Sequence, residues 1–222
     1  MLKKYRTQIG FTLTELMIAV SLNTLIFGAL IAIFLANLNH YKRTINATRL
    51  NQQLQSSLDL MTSEIRRAGF WANARNDIGT HANNNPFMTG GADVSINNTN
   101  TCILFSYDRN KDSTLPTINS GNDDERYGFR LIGQSFQSRP TGASFDCNTS
   151  ASDWENLVDT NIIEITNLTF TPTNYTITTG PGTRGILMRS IDISITGRLK
   201  NNPSITKTLT QHVRIRNDKF IP

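Results

Sequence analysis

One apolar run near the amino terminus constrains everything else in this chain. From Leu16 to Ala36 the side chains are apolar except for Ser21, Asn23 and Thr24. Between Phe11 and Asn39 the one ionisable group is Glu15. Coiled as a helix at about 1.5 Å per residue, the run spans roughly 30 Å, the thickness of a bilayer's hydrocarbon core. A short basic head (Lys3, Lys4, Arg6) precedes it and ends at the small residue Gly10. A carboxylate at the head of a membrane helix is costly to bury and marks a functional position by default. A secretory signal peptide would place its small-residue cleavage site after the apolar region, not before it. A plain membrane anchor gives no reason for Glu15.

The order of these residues, Gly10-Phe11-Thr12-Leu13-Thr14-Glu15-Leu16 followed by the apolar run, resembles the prepilin signature of type IV pilins and type II secretion pseudopilins. The resemblance implies cleavage between Gly10 and Phe11 by a prepilin peptidase, and N-methylation of Phe11. It also implies a role for Glu15 in filament assembly, pairing with the methylated terminal amine of a neighbouring subunit. That pairing is physically sensible: an unpaired carboxylate in hydrocarbon tends to protonate, and a nearby cationic amine offsets the desolvation cost. The alternative for Glu15 is a carboxylate that snorkels to the headgroups.

Charge and cysteine content fit this reading. The 222 residues leave room for one domain beside the anchor. The formal charge of +5 loses Lys3, Lys4 and Arg6 with a leader and falls to 5 − 3 = +2, which weakens any nucleic-acid reading built on bulk charge. Basic residues ahead of the run and none until Lys42 fit a cytoplasmic leader and an outward body. Lys42 and Arg43 partly offset that bias, and the resemblance sets the orientation more firmly: a single-pass inner-membrane protein with a periplasmic body. The two cysteines, Cys102 and Cys147, are expected to form a disulfide in such a compartment. Two unrelated buried thiols are the alternative.

Beyond Ala36 a helical period continues through Leu38, Tyr41, Ile45, Leu54, Leu58, Met61, Ile65 and Ala68. It predicts one helix over 12–67, about 80 Å long, with Gly69 as its stop. Its second half has one apolar face that must pack on something, most simply a sheet. Residues 70–101, rich in Asn, Gly and Thr, read as a surface loop with a short strand near Val94 to Ile96. Phe70 and Trp71 are expected to pack under the sheet. Strands are predicted over 102–107, 127–132 with a continuation over 134–137, 161–171, 174–179, 187–199 and 205–215. Successive strands without intervening helices argue for an antiparallel sheet. The expectation is an α+β type IV pilin fold. Residues 1–10 form the leader, 11–36 the transmembrane and filament-core half of the helix, 37–69 its amphipathic half, and 70–222 a sheet-rich body.

Arg66-Arg67-Ala68-Gly69-Phe70-Trp71, Tyr107-Asp108, Glu125-Arg126-Tyr127-Gly128-Phe129-Arg130-Leu131 and Val213-Arg214-Ile215-Arg216-Asn217-Asp218 resemble the PilW subgroup of minor pilins. A GspJ-like pseudopilin is the alternative. The resemblance implies a minor pilin that takes part in initiating pilus assembly at or near the tip, in filaments tied to adhesion and twitching motility. Its partners would be other minor and major pilins, the prepilin peptidase and a large tip adhesin. A third reading is a tip binding subunit whose loops, 72–100 or 108–126, contact a surface or DNA.

Other chemistry is thin. His40, His81 and His212 are dispersed, and no nucleophile-elbow, phosphate-loop or zinc spacing is present. The chain is therefore read as a non-enzyme that needs no cofactor. Asp108, Asn110 and Asp112 alternate as in the front of a calcium loop. A full calcium loop would want glycine where Ser113 sits and glutamate where Asn119 sits. Asp123, Asp124 and Glu125 could add ligands, while Arg109 and Lys111 would repel a cation. A solvated loop of turn formers is the favoured reading. Arg184, Arg189, Arg198, Lys200, Lys207, Arg214, Arg216 and Lys219 could line one sheet face or edge for nucleic acid, or simply keep strand edges soluble.

Overall fold

The computed structural model describes residues 10–77, 84–118, 123–148, 150, 153–178 and 185–221. The basic head, His81, Asn119 and Arg184 lie outside them. The chain divides into two units, Met1–Ala47 and Thr48–Pro222.

Among the described residues of the first unit, all from Leu13 onward are helical. Helix α1, Leu13–Ile65, begins in it, and every residue from Gly10 to Ala47 is exposed. Leu38, Tyr41 and Ile45, expected on a packed face, are exposed with the rest. The segment Leu13–Ile65 is long and apolar enough to cross a membrane.

In the second unit, α1 buries Leu50, Leu54, Leu58, Met61 and Ile65, the spacing of three and four that keeps side chains on one stripe. The buried face therefore starts at Leu50. The helix ends two residues before the predicted Arg67. The amides of Arg67 and Ala68 tighten to i−3 carbonyls, and Gly69 then takes φ +72°, the left-handed stop that glycine adopts without a Cβ penalty. Gly69 N–H donates to Ser106 O at 2.8 Å. Other segments satisfy the carbonyls left open at the helix end. Asn217 Nδ2 donates to Arg67 O and Ala68 O, Arg216 N–H to Arg66 O, and Asn85 Nδ2 to Gly69 O.

Eleven strands form among the described residues: β1 Ser95–Ile96, β2 Cys102–Ser106, β3 Arg126–Ile132, β4 Ser135–Ser138, β5 Glu155–Asn156, β6 Ile163–Pro172, β7 Tyr175–Thr178, β8 Gly185–Met188, β9 Ser190–Leu199, β10 Asn202–Arg214 and β11 Lys219–Ile221. They make three sheets, in the orders β1-β2-β3-β4-β5, β10-β9-β6 and β11-β8-β7. Every pairing is antiparallel.

Three expectations are corrected. β4 does not continue β3: the chain reverses at Gly133, φ +59°, and Ile132 pairs with Ser135. The strand predicted over 187–199 breaks at Arg189, because β8 and β9 belong to different sheets and Arg189 is buried between them in sequence. The stretch 70–101 is not all surface: Phe87, Met88 and Ala92 are buried in short 3-10 turns at Pro86–Met88 and Gly90–Ala92. One of its asparagines, Asn85, is a cap, its Oδ1 accepting from Phe87 N–H at 2.9 Å.

One core holds this unit together, formed by the α1 stripe with Ile103, Phe105, Phe129, Phe136, Ile163, Ile165, Leu168, Phe170, Ile191, Ile193 and Ile195 among others. β9 lies so close to the helix that a Cβ on Gly197 would sit 3.0 Å from Leu54 Cδ2 and 3.2 Å from Ile165 Cδ1. Phe70 packs against this core. Trp71 instead donates its Nε1–H to Ser113 O at 3.0 Å.

Candidate functional site

Two places carry chemistry beyond packing. The first is the start of α1. Thr12 Oγ1 accepts from Glu15 N–H at 3.3 Å, and Glu15 Oε2 accepts from Thr12 N–H and Thr12 Oγ1–H, each at 2.9 Å. This is a reciprocal capping box, in which a threonine before the helix and a glutamate three residues on satisfy each other's open amides. The Thr-x-x-Glu spacing is a local sequence signal for it. Glu15 thus has a partner within its own chain. Gly10 and Phe11 precede the helix and are exposed. Phe11 leads a surface on which Leu13, Leu16, Met17, Ile18, Val20, Leu22, Leu25 and Phe27 are more than half exposed. Burying such a surface in lipid or against other helices is strongly favourable.

The second place is the loop after β2. Asp108 and Glu125 are both 1% exposed, and with exposed Asp112 they bring carboxylate oxygens within 4.8 Å of one another. Asn110, expected to join them, is bound up with Asp112. Its Oδ1 accepts from Asp112 N–H and its Nδ2 donates to Asp112 Oδ2, each at 2.9 Å. Asp124 is committed elsewhere, to Arg139 at 2.6 Å and Arg126 at 3.5 Å. Burial pushes Glu125 above the usual carboxylate range; the amides of Asn110 and Arg109 oppose this, and the charges of Asp108 and Asp112 add to it. Hydrogen bonds from the Thr114 amide and hydroxyl, then Asn110, hold Asp112 below its ordinary value. Among the described residues, Asp108 Oδ1 and Glu125 Oε2 are buried without a hydrogen-bond partner. Leaving such oxygens unsatisfied costs on the order of 1–3 kcal/mol each.

Cys102 and Cys147 form a disulfide with Cα atoms 6.0 Å apart. Cys102, Leu104 and Trp154 make a small second cluster beside it. Arg130, whose guanidinium lies 4.3 Å from the Trp154 ring centroid, donates to Cys147 O and Ser150 O at 3.0 Å each and to Gln137 Oε1 at 3.0 Å. A buried arginine spent on two loop carbonyls fixes the segment that the disulfide closes.

The remaining candidates scatter. His40 is exposed on α1. His212 Nδ1 lies 2.7 Å from Asp192 Oδ1 on an open sheet face, where the two residues sit directly across β9 and β10, an ordinary cross-strand polar pair. Of the basic residues considered for nucleic acid, Arg189 and Lys219 meet Asp93, Arg198 meets Glu164 at 2.8 Å, and Arg214 meets Asp218 at 3.0 Å. These pairings spend positive charge that a phosphate backbone would need.

A long apolar N-terminal helix followed by antiparallel sheets, with a buried stripe only in the helix's second part, defines a pilin-like α+β protein. The chain belongs to the prepilin peptidase-dependent protein B family (PpdB), whose family model matches residues 43–215. It is thus a prepilin peptidase-dependent, pilus-related protein, and the match lies outside the Gly10–Leu16 signature. No curated protein and no solved structure matches the chain.

Proposed function

We propose that this chain is a minor pilin of the PilW type: a structural, non-catalytic subunit of a type IV pilus that takes part in initiating assembly at or near the tip. The observation that carries the reading is the surface from Phe11 to Phe34, apolar and exposed, with Glu15 as its one ionisable side chain. In this reading a prepilin peptidase removes residues 1–10 and Phe11 is N-methylated. Residues 11–36 hold the chain in the inner membrane and then in the filament core, 37–69 continue the helix into the body, and 70–222 form a body outside the cytoplasm. Partners are other minor pilins, the major pilin and a tip adhesin.

Co-expression with a prepilin peptidase tests the proposal. Mass spectrometry of the product is expected to give a mature chain starting at Phe11 with one added methyl group. A chain that keeps residues 1–10 would overturn the reading. Glu15→Ala is expected to be cleaved normally and to be missing from sheared pili. Co-purification with secretion components alone would assign the protein to a type II secretion filament instead.

A further inference from the structure

We propose that Asp108, Asp112 and Glu125 form a calcium-binding site, with Asp108 Oδ1 and Glu125 Oε2 as its buried ligands. Each buried carboxylate is anchored by one oxygen and leaves the other without a protein partner. Asp108 Oδ2 accepts from Ala72 N–H at 2.9 Å and Ser113 N–H at 3.2 Å, while Oδ1 accepts from nothing. Glu125 Oε1 accepts from the amides of Arg109 and Asn110, while Oε2 accepts from nothing. The backbones are joined at the same point, with Tyr107 N–H donating to Glu125 O at 3.3 Å, so the two side chains leave neighbouring positions.

The adjacent carboxylate makes the contrast. Asp124 is equally buried and is met by Arg139 at 2.6 Å. The chain supplies a guanidinium for that acid, while among the described residues Asp108 Oδ1 and Glu125 Oε2 have no hydrogen-bond partner. A cation shared by all three carboxylates of the cluster answers both. Calcium binds oxygen at 2.3–2.6 Å and tolerates irregular ligand sets, so its ligands sit at most about 5 Å apart. One carboxylate oxygen from each of the three residues lies within 4.8 Å of the other two, inside that limit. Asp112 supplies the solvent-side ligand, and Asn110 serves as a positioning residue that holds it. Magnesium, which demands near-ideal octahedral geometry at 2.0–2.1 Å, fits a loop-built set of carboxylates less well. A site with few carboxylates and an open side belongs in the weaker range of calcium affinities, on the order of 10⁻⁴–10⁻³ M.

The test uses the full chain in a neutral detergent after treatment with a calcium chelator. Millimolar calcium chloride is expected to raise the unfolding temperature by several degrees, and magnesium chloride by less. Terbium should luminesce on excitation of Trp71, whose indole bonds to Ser113 in the same loop, and calcium should displace it. Glu125→Gln is expected to abolish both signals and to raise the unfolding temperature of the calcium-free protein, because it removes a buried charge. Asp112→Asn lies on the surface and decides the matter even where Glu125→Gln fails to fold. It is expected to weaken calcium binding at least tenfold. No thermal shift and no terbium signal would overturn the site, as would calcium binding that Asp112→Asn leaves unchanged.

Discussion

The phenol of Tyr107, at the end of β2, donates a 2.6 Å hydrogen bond to the Glu64 carboxylate in the last turn of α1. The Tyr107 ring stacks on that of Tyr127 with centroids 4.4 Å apart and planes 9° from parallel. Arg67 lies over the same ring at 5.8 Å. Helix end and sheet are thus joined by a polar contact as well as by the core.

Removing that contact should be measurable. Tyr107→Phe keeps the ring stack and loses the bond to a charged acceptor, and is expected to cost about 1.5 kcal/mol. It should also change the alkaline limb of stability. Burial, then the bond to Glu64, raises the Tyr107 pKa well above the ordinary phenol value of 10.0. The unfolded chain therefore releases this proton first. Stability is full below pH 10 and falls as pH rises from there towards the folded pKa. Unfolding followed by circular dichroism from neutral to strongly alkaline pH should show a shallower decline in Tyr107→Phe than in the parent.

Arg139 and Asp124 form an ion pair with both side chains fully buried. Such a pair is costly to break from one side, because the remaining charge stays buried alone. Arg139→Met is expected to destabilise the body by about 3 kcal/mol or more. The double variant Arg139→Met, Asp124→Leu should recover part of that loss, since it removes the stranded carboxylate, although Arg126 then loses its ion pair with Asp124. Thermal unfolding of the two variants and the parent checks this, and equal losses in both would contradict it.

The disulfide closes a loop with a sequence separation of 45. In the chain-entropy model a loop of that length contributes about 4 kcal/mol by restricting the unfolded chain. Cys102→Ser, Cys147→Ser is expected to lower the unfolding temperature to that of the parent in a strong reductant, and reductant should then leave the variant unchanged. Arg130 and Trp154 hold the same segment from inside, so the variant should still fold.

Much of the fold was legible because its signals are local. The apolar run, the three-and-four spacing from Leu54 to Ile65 and the alternation of Ile191, Ile193 and Ile195 each report a period that neighbouring residues share. Gly69 was legible as a stop, and its φ of +72° fits that role. What was not legible depended on residues far apart in sequence. Three sheets replace one because β8 pairs with β7 and β11 while β9 pairs with β6 and β10, and the break at Arg189 has its cause in Asp93 and Asn217. Asn85 reads as a loop former because its acceptor, the carbonyl of Gly69, belongs to a helix end that composition cannot place beside it, and the same holds for the bonds of Asn217 to the carbonyls of Arg67 and Ala68. In the acidic loop, Asp108 and Asp112 stood out by spacing. Glu125 takes the place expected of Asn110 because the backbone pairing of Tyr107 with Glu125 brings it alongside. The capping box is the opposite case, a local signal carried by two residues three positions apart.

That capping box separates two roles of Glu15. Glutamine at the third helical position can still accept from the capping residue's amide, so Glu15→Gln should preserve the helix start. It removes the charge that would answer a neighbouring terminal amine. Glu15→Ala removes both. If the residue matters for assembly through charge, both variants should be cleaved after Gly10 and both should be missing from sheared filaments. If it matters only as a cap, Glu15→Gln should assemble like the parent while Glu15→Ala does not. Thr12→Ala gives a third comparison: it disrupts the box from the other side, where Thr12 Oγ1 accepts from Glu15 N–H, and leaves the carboxylate in place. Under the charge role it should assemble, with a frayed first turn visible as faster amide exchange near Leu13 to Leu16. Quantifying the subunit in sheared pili by immunoblot, alongside its cleaved fraction in membranes, distinguishes these outcomes.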